Sequence, residues 1–115
     1  MKIIGFIASP RQAGNTAWTV NKILESAKEQ GAETQSWYCS ANDKPCQSCF
    51  ACRQGDIRGQ SGLRYVINDN ISKVYEALVD ADVLVFGIPI YMGQMSAQAK
   101  IFTDRLFGSR LYQPR

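Results

Sequence analysis

The chain predicts an α/β fold, a doubly wound parallel sheet, and three observations carry that prediction. Apolar runs and helical patterns alternate as strand, helix, strand, helix, strand, helix, the order that puts parallel strands in one layer joined by right-handed crossovers. Lys2 to Ala8 (KIIGFIA) is a continuous apolar run, as a central strand covered on both faces is, and Asp82 to Ile88 (DVLVFGI) is the most strand-like run in the chain. Each run ends in a loop of turn residues that leads into a helix, so both loops are expected at the carboxyl edge of the sheet, where such folds bind ligands.

Composition sets the outer bounds. At 115 residues the chain reads as one domain, 1–115, because single domains cluster at roughly 100 to 150 residues. With 45% hydrophobic and 20% charged residues it falls in the globular class and outside the disordered and collagen-like ones. Thirteen Lys/Arg against ten Asp/Glu leave a net charge of +3 without a long single-sign run, which argues against a nucleic-acid partner. No apolar run nears the ~20 residues of a membrane span, and Met1-Lys2 leads straight into a strand pattern instead of a signal peptide. The expectation is therefore a cytoplasmic protein with no membrane contact. The absence of histidine removes His-based triads, His general bases and His-containing zinc sites.

Taken in order, Lys2 to Ala8 is the first strand. Val20, Ile23, Leu24 and Ala27 recur at i, i+3, i+4 and i+7 and make one apolar stripe on a helix that Gly31 stops. Trp18 lies off this stripe, either as a surface aromatic or as a cofactor or partner contact. Glu33 to Tyr38 alternates weakly and reads as the second strand. Residues 39–63 form a cysteine-containing loop with Pro45 and several glycines, too long for an ordinary connector. Tyr65-Val66-Ile67 is briefly extended. Asn68-Asp69-Asn70 then supplies cap residues for a helix with Ile71, Val74, Tyr75 and Leu78 on one face, closed at Asp80. Asp82 to Ile88 is the third strand and stops at Pro89, which cannot donate to a ladder. After the turn Pro89 to Gln94, Ser96 caps a last helix on which Met95, Ala99, Phe102 and Leu106 fall at helical spacing.

The loop Ala8-Ser9-Pro10-Arg11-Gln12-Ala13-Gly14-Asn15-Thr16 joins a strand to a helix start, and its chemistry suits a phosphate. A helix N-terminus carries backbone N–H groups without partners and a partial positive charge. Gly14 permits a tight backbone there, Ser9, Asn15 and Thr16 offer side-chain hydrogen bonds, and Arg11 adds a charge. If the first and third strands are neighbours, the Pro89 to Gln94 loop lies beside it.

Together the two loops resemble those of the flavodoxin-like NADPH-dependent FMN reductase and iron-sulfur flavoprotein family. The family's first loop reads Gly-Ser-Pro-Arg, two variable residues, then Gly-Asn-Thr, and this chain departs only at the leading residue, Ala8. The second reads Pro-Ile-Tyr followed by an aromatic or Met, here Pro89-Ile90-Tyr91-Met92-Gly93-Gln94-Met95-Ser96. Lys100 and Asp104-Arg105 match the next helix and read structurally as an exposed charge and an end-of-helix ion pair. The likeness covers nearly the whole chain. It implies a flavodoxin-like sheet and FMN as cofactor, with Ser9, Arg11, Gly14, Asn15 and Thr16 at the phosphate and Pro89, Ile90, Tyr91, Met92 and Gly93 along the isoalloxazine. It also implies NAD(P)H as co-substrate and a small-molecule or protein electron acceptor. No catalytic acid-base residue is assigned, because the hydride step needs none.

Cys46-x-x-Cys49-x-x-Cys52 has the spacing of metal or redox chemistry and can supply three corners of an iron-sulfur cluster. In the iron-sulfur branch of the family a fourth cysteine follows, ahead of an Asp-Asp pair. The aligned positions here are Tyr65 and Asp69-Asn70. Cys39 replaces that fourth ligand only if the end of the second strand turns back toward the run. Free thiols are the expected state, ahead of a cluster and of zinc, whose structural sites take four ligands.

The expected function is an FMN-dependent oxidoreductase, either a flavin or quinone reductase using NAD(P)H or an electron-transfer flavoprotein. Two other classes stay open: an iron-sulfur electron-transfer module built on the cysteine run, and a non-catalytic interaction protein that keeps the fold. A flavodoxin-like sheet has five strands in the order 2-1-3-4-5, whereas this chain supplies three. The sheet thus reads as truncated after the third strand-helix unit, with the third strand an open apolar edge, and a homo-oligomer that completes it is expected.

Overall fold

The computed structural model describes residues 1–49, 67 and 69–106. Strand β1 (Lys2–Ile7) is the centre of a three-stranded parallel sheet, with β2 (Glu33–Tyr38) on one side and β3 (Val83–Gly87) on the other. Ile4 stands opposite Gln35 of β2 and Leu84 of β3. This β2-β1-β3 order is that of the first three strands of a flavodoxin-like sheet, as the sequence leads one to expect.

The unbroken apolar run of β1 is explained by two cores. Ile3 and Ile7 pack with Ala17, Val20 and Leu24 of helix α1 (Asn15–Glu29) on one face. Ile4, Phe6 and Ala8 pack on the other face with residues of α2 (Asn70–Leu78) and α3 (Ala97–Arg105), among them Ile71, Tyr75 and Phe102. Successive side chains of a strand point to opposite faces, so a strand serving two cores has no polar positions to spare.

On the α1 face two glycines allow a close approach. A Cβ at Gly5 would stand 2.8 Å from Leu24 Cδ1, and one at Gly87 would stand 2.5 Å from Val20 Cγ2. The opposite face is held by aromatic rings around Phe102, whose centroid lies 4.5 Å from Phe6, 4.9 Å from Tyr75 and 5.0 Å from Phe86. The Tyr75 hydroxyl donates to the Phe102 carbonyl, so this buried phenol has its partner.

Several sequence expectations change in detail. Ile23 is 46% exposed, and the buried stripe of α1 is Ala17, Val20 and Leu24, one step round the helix. Helix α2 begins at a reciprocal capping box of Asp69 and Ser72 and ends at Leu78 with Val79 as its cap, short of Asp80. Tyr65, Val66 and residues 50–63 of the cysteine-containing loop lie outside the described residues. The Pro89 to Gln94 turn proves to be a small antiparallel hairpin, β4 (Ile90–Tyr91) and β5 (Gln94–Met95). Its tip, Met92 and Gly93, has φ of 50° and 74°, the left-handed pair that a two-residue hairpin loop requires. Met95 therefore belongs to the hairpin and not to the helical stripe of α3. Val83 and Leu84 of β3 are 40% and 37% exposed at the edge of the sheet. Among the described residues no helix is long and apolar enough to cross a membrane.

Candidate functional site

The carboxyl edge of β1 gathers three segments. The chain leaves β1 through Ala8, whose N–H donates to Gly87 O at 2.9 Å and continues the ladder to β3 by one rung. Ser9 is buried, and its Oγ accepts the Arg11 N–H at 3.2 Å, closing a short side-chain turn. Arg11, Gln12, Ala13 and Asn15 are exposed, with Gly14 and Thr16 half-buried. Gly14 is the N-cap of α1 in extended conformation and supplies no side-chain cap, and no acidic residue lies in the first turn. The first N–H groups of α1 thus face outward with their partial positive charge uncompensated by a carboxylate of the same turn. Ser9, Arg11, Gly14, Asn15 and Thr16 are brought together on this one turn.

The hairpin is the second segment, and Ala8 holds both of its ends. Gly87 before it accepts from Ala8 N, while Ser96 after it donates its hydroxyl to Ala8 O at 2.7 Å. Ser96 is fully buried and also caps α3 by accepting from Ala99 N at 3.2 Å. The sequence identifies the cap; the bond to Ala8, across 88 positions of chain, has no local signature. Pro89 is half-buried, whereas Ile90, Tyr91, Met92 and Met95 are 69%, 45%, 100% and 40% exposed. Pro89 to Gly93 therefore form an apolar projection next to the uncapped helix start.

Cys39 is the third segment. Its N–H donates to Ile7 O at 3.0 Å, and its buried thiol donates to Ser9 O at 3.2 Å. Burial pushes that thiol's pKa up, and the negative charge of Asp43 adds to the rise. At the end of β2 the Cys39 thiol is committed to the Ser9 turn. Cys39, Cys46 and Cys49 are free, the latter two exposed, while Cys52 and Tyr65 lie outside the described residues. Among the described residues no three His, Cys, Asp or Glu side chains group as a metal site.

Beyond these segments the last turn of α3 differs from its sequence reading. The exposed ion pair is Lys100 with Asp104, four residues apart on one helix face, a type worth only a few tenths of a kcal/mol. Arg105 is buried and pairs with Asp69 at the start of α2. Burial by itself would raise the Asp69 carboxyl. The hydrogen bond from Arg105, followed by those from Lys44 N and Ser72 N, outweighs burial and holds Asp69 below the ordinary carboxylate range.

The β2-β1-β3 sheet, with an uncapped helix start beside an apolar hairpin at its carboxyl edge, is of the doubly wound α/β class, whose members bind ligands at that edge. The chain belongs to the NADPH-dependent FMN reductase family, whose pattern matches residues 1–114. It is 38% identical over 106 residues to an iron-sulfur flavoprotein of Methanosarcina thermophila, covering 91% of this chain and 52% of that protein. An iron-sulfur flavoprotein of Methanocaldococcus jannaschii is 34% identical over 105 residues, covering 91% and 51%. One from Archaeoglobus fulgidus is 31% identical over 106 residues, covering 91% and 48%. The chain spans about half the length of these curated relatives.

Proposed function

We propose that this chain is the FMN-binding part of a flavin-dependent oxidoreductase, with NAD(P)H as electron donor and a small molecule or protein as acceptor. The observation that carries the reading is the double hold of Ala8, which fixes an uncapped helix start and an exposed apolar hairpin side by side on one sheet edge. The residues fit the group. At the turn, the N–H groups of α1, the hydroxyls of Ser9 and Thr16, the Asn15 amide and Arg11 make up a donor set for a phosphate. At the hairpin, Pro89, Ile90, Tyr91, Met92 and Gly93 offer a flat ring an apolar wall with backbone N–H groups along it.

Bound FMN supplies hydride and single-electron chemistry. The chain's own part is placement. The turn anchors the charged end, the hairpin excludes water from one side of the ring, and N–H groups near Tyr91 to Gly93 stabilise negative charge there. The open edge of β3 and the bare hairpin also suit a homo-oligomer in which a partner covers what this chain leaves exposed. A strictly monomeric species in light scattering at micromolar concentration would count against that assembly.

The names of the relatives favour a second reading, in which Cys46, Cys49 and Cys52 also hold an iron-sulfur cluster. Cys39 does not fit as its fourth ligand, since the thiol is buried and donates to Ser9 O, and no step is assigned to a cluster. One anaerobic preparation tests both readings. A flavin spectrum after FMN loading, with iron and sulfide below stoichiometry, is the expected result. A colourless protein that takes up no FMN contradicts it and favours an interaction protein that retains the fold.

A further inference from the structure

Arg105 is 4% exposed, an uncommon place for a guanidinium. Its Nη1 donates to Asp69 Oδ2 and to Lys44 O at 3.3 Å, and its Nη2 donates to Ile67 O at 3.3 Å. Asp69 completes the arrangement. The same Oδ2 accepts from Lys44 N at 3.1 Å, while Oδ1 caps α2 through Ser72 N at 3.2 Å. Lys44 and Ile67 are the residues that flank the stretch 45–66, which carries the cysteine run. One guanidinium and one carboxylate hold both of its ends.

The geometry points to Arg105 and Asp69 as a clasp, a pair of positioning residues that close the two ends of the cysteine-bearing stretch against α2 and α3. Lys44 is pinned through both its N–H and its carbonyl, two positions before Cys46. Asp43, next to it, accepts from Ser40 N at 2.7 Å and leads back to Cys39 under the Ser9 turn. Helix α3 thereby serves both parts of the edge, because Ser96 at its start is bonded to Ala8 and Arg105 at its end holds the clasp. Arginine suits the role because its planar fork reaches several acceptors at once, whereas a lysine ammonium acts as a point charge. A buried ion pair is weak grounds for stability on its own, but this one also donates to the carbonyls of the two flanking residues. The clasp stands on these contacts and does not depend on the flavin reading.

Cys39 serves as the reporter, since its thiol is buried and the Ser40–Asp43 turn joins it directly to Lys44. In the full chain, timed modification with N-ethylmaleimide, resolved by peptide mass mapping, follows Cys39 separately from Cys46 and Cys49. Arg105→Lys keeps the charge but not the fork, and Asp69→Asn keeps a helix cap but not the charge. In both variants Cys39 is expected to react about tenfold faster or more, at a rate independent of low urea, which marks local opening. The rate at Cys46 is expected to stay as in the unaltered protein. Wild-type Cys39 rates in either folded variant overturn the clasp. So does an acceleration that rises with urea in step with global unfolding, because the pair then serves the whole fold alone. If one variant does not fold, the other carries the test by the same criteria. FMN titration of the same samples separates the two claims: an unaltered protein that binds no FMN defeats the flavin reading and leaves the Cys39 result as the measure of the clasp.

Discussion

The turn after β1 and the hairpin after β3 share one sheet edge and one anchoring residue, Ala8, yet they are finished to different degrees. Ser9 in the turn is 5% exposed and bonded to Arg11 and Cys39, while Met92 at the hairpin tip is fully exposed and Ile90 is 69% exposed. The turn leaves the first N–H groups of α1 without a side-chain cap or a nearby carboxylate. The hairpin lacks a surface, because its apolar side chains meet solvent until a ring or a partner covers them. On the proposed FMN reading, the charged end of the ligand is answered within this chain, and the flat end only in part.

The two segments also rest on different cores, which gives ways to separate them. Phe102→Ala empties the centre of the aromatic cluster under α3 and is expected to cost about 3–5 kcal/mol in urea unfolding. Because α3 follows the hairpin, amide exchange at residues 90–95 should rise more than in α1; an equal rise would mean that the two segments share one support. On the other face, Gly87→Ala sets a methyl group against Val20 and Thr16. The expected cost is about 1–3 kcal/mol, with weaker FMN binding as α1 is lifted from the sheet. Unchanged stability and affinity would show that α1 does not need so close a seat.

The buried Asp69 gives a pH signature that neither loop contributes. Its folded pKa lies below the ordinary 3.8, so its stabilisation is complete above that value and is lost as pH falls through the folded pKa. Thermal unfolding midpoints should fall across that acid window in the unaltered protein and less steeply in Asp69→Asn; parallel curves would remove Asp69 as the source. The smallest effect is expected at the hairpin tip. Met92→Asn suits the left-handed conformation better and should raise stability by under about 1 kcal/mol while weakening FMN binding. A variant both more stable and equally tight would show that the exposed methionine serves no ligand.

Much of the scaffold is legible in the residues. The unbroken apolar run of Lys2 to Ala8 marks a strand between two cores, Gly31 marks the end of the first helix, and Ser96 marks the start of the last. The two loops stand out because a turn motif follows each apolar strand. What periodicity misses is contact across the chain. β4 and β5 are two residues each, too short for an alternation to register. Ile23 matches the helical spacing as well as Ala17 does, and which of them is buried is decided by how α1 seats on Ile3 and Ile7 of β1. Arg105 sits beside Asp104 in the sequence but pairs with Asp69, 36 positions away, and nothing local shows that the Cys39 thiol bonds to Ser9.

The central claim is that the turn from Ser9 to Thr16 receives the FMN phosphate, and FMN titration by flavin fluorescence tests it most directly. Asn15→Ala combined with Thr16→Ala removes two side-chain donors to a charged group, each worth about 1.5–3 kcal/mol, so affinity is expected to fall by roughly a hundredfold or more while the unfolding midpoint changes little. Equal affinity in the double variant and the unaltered chain would contradict the assignment.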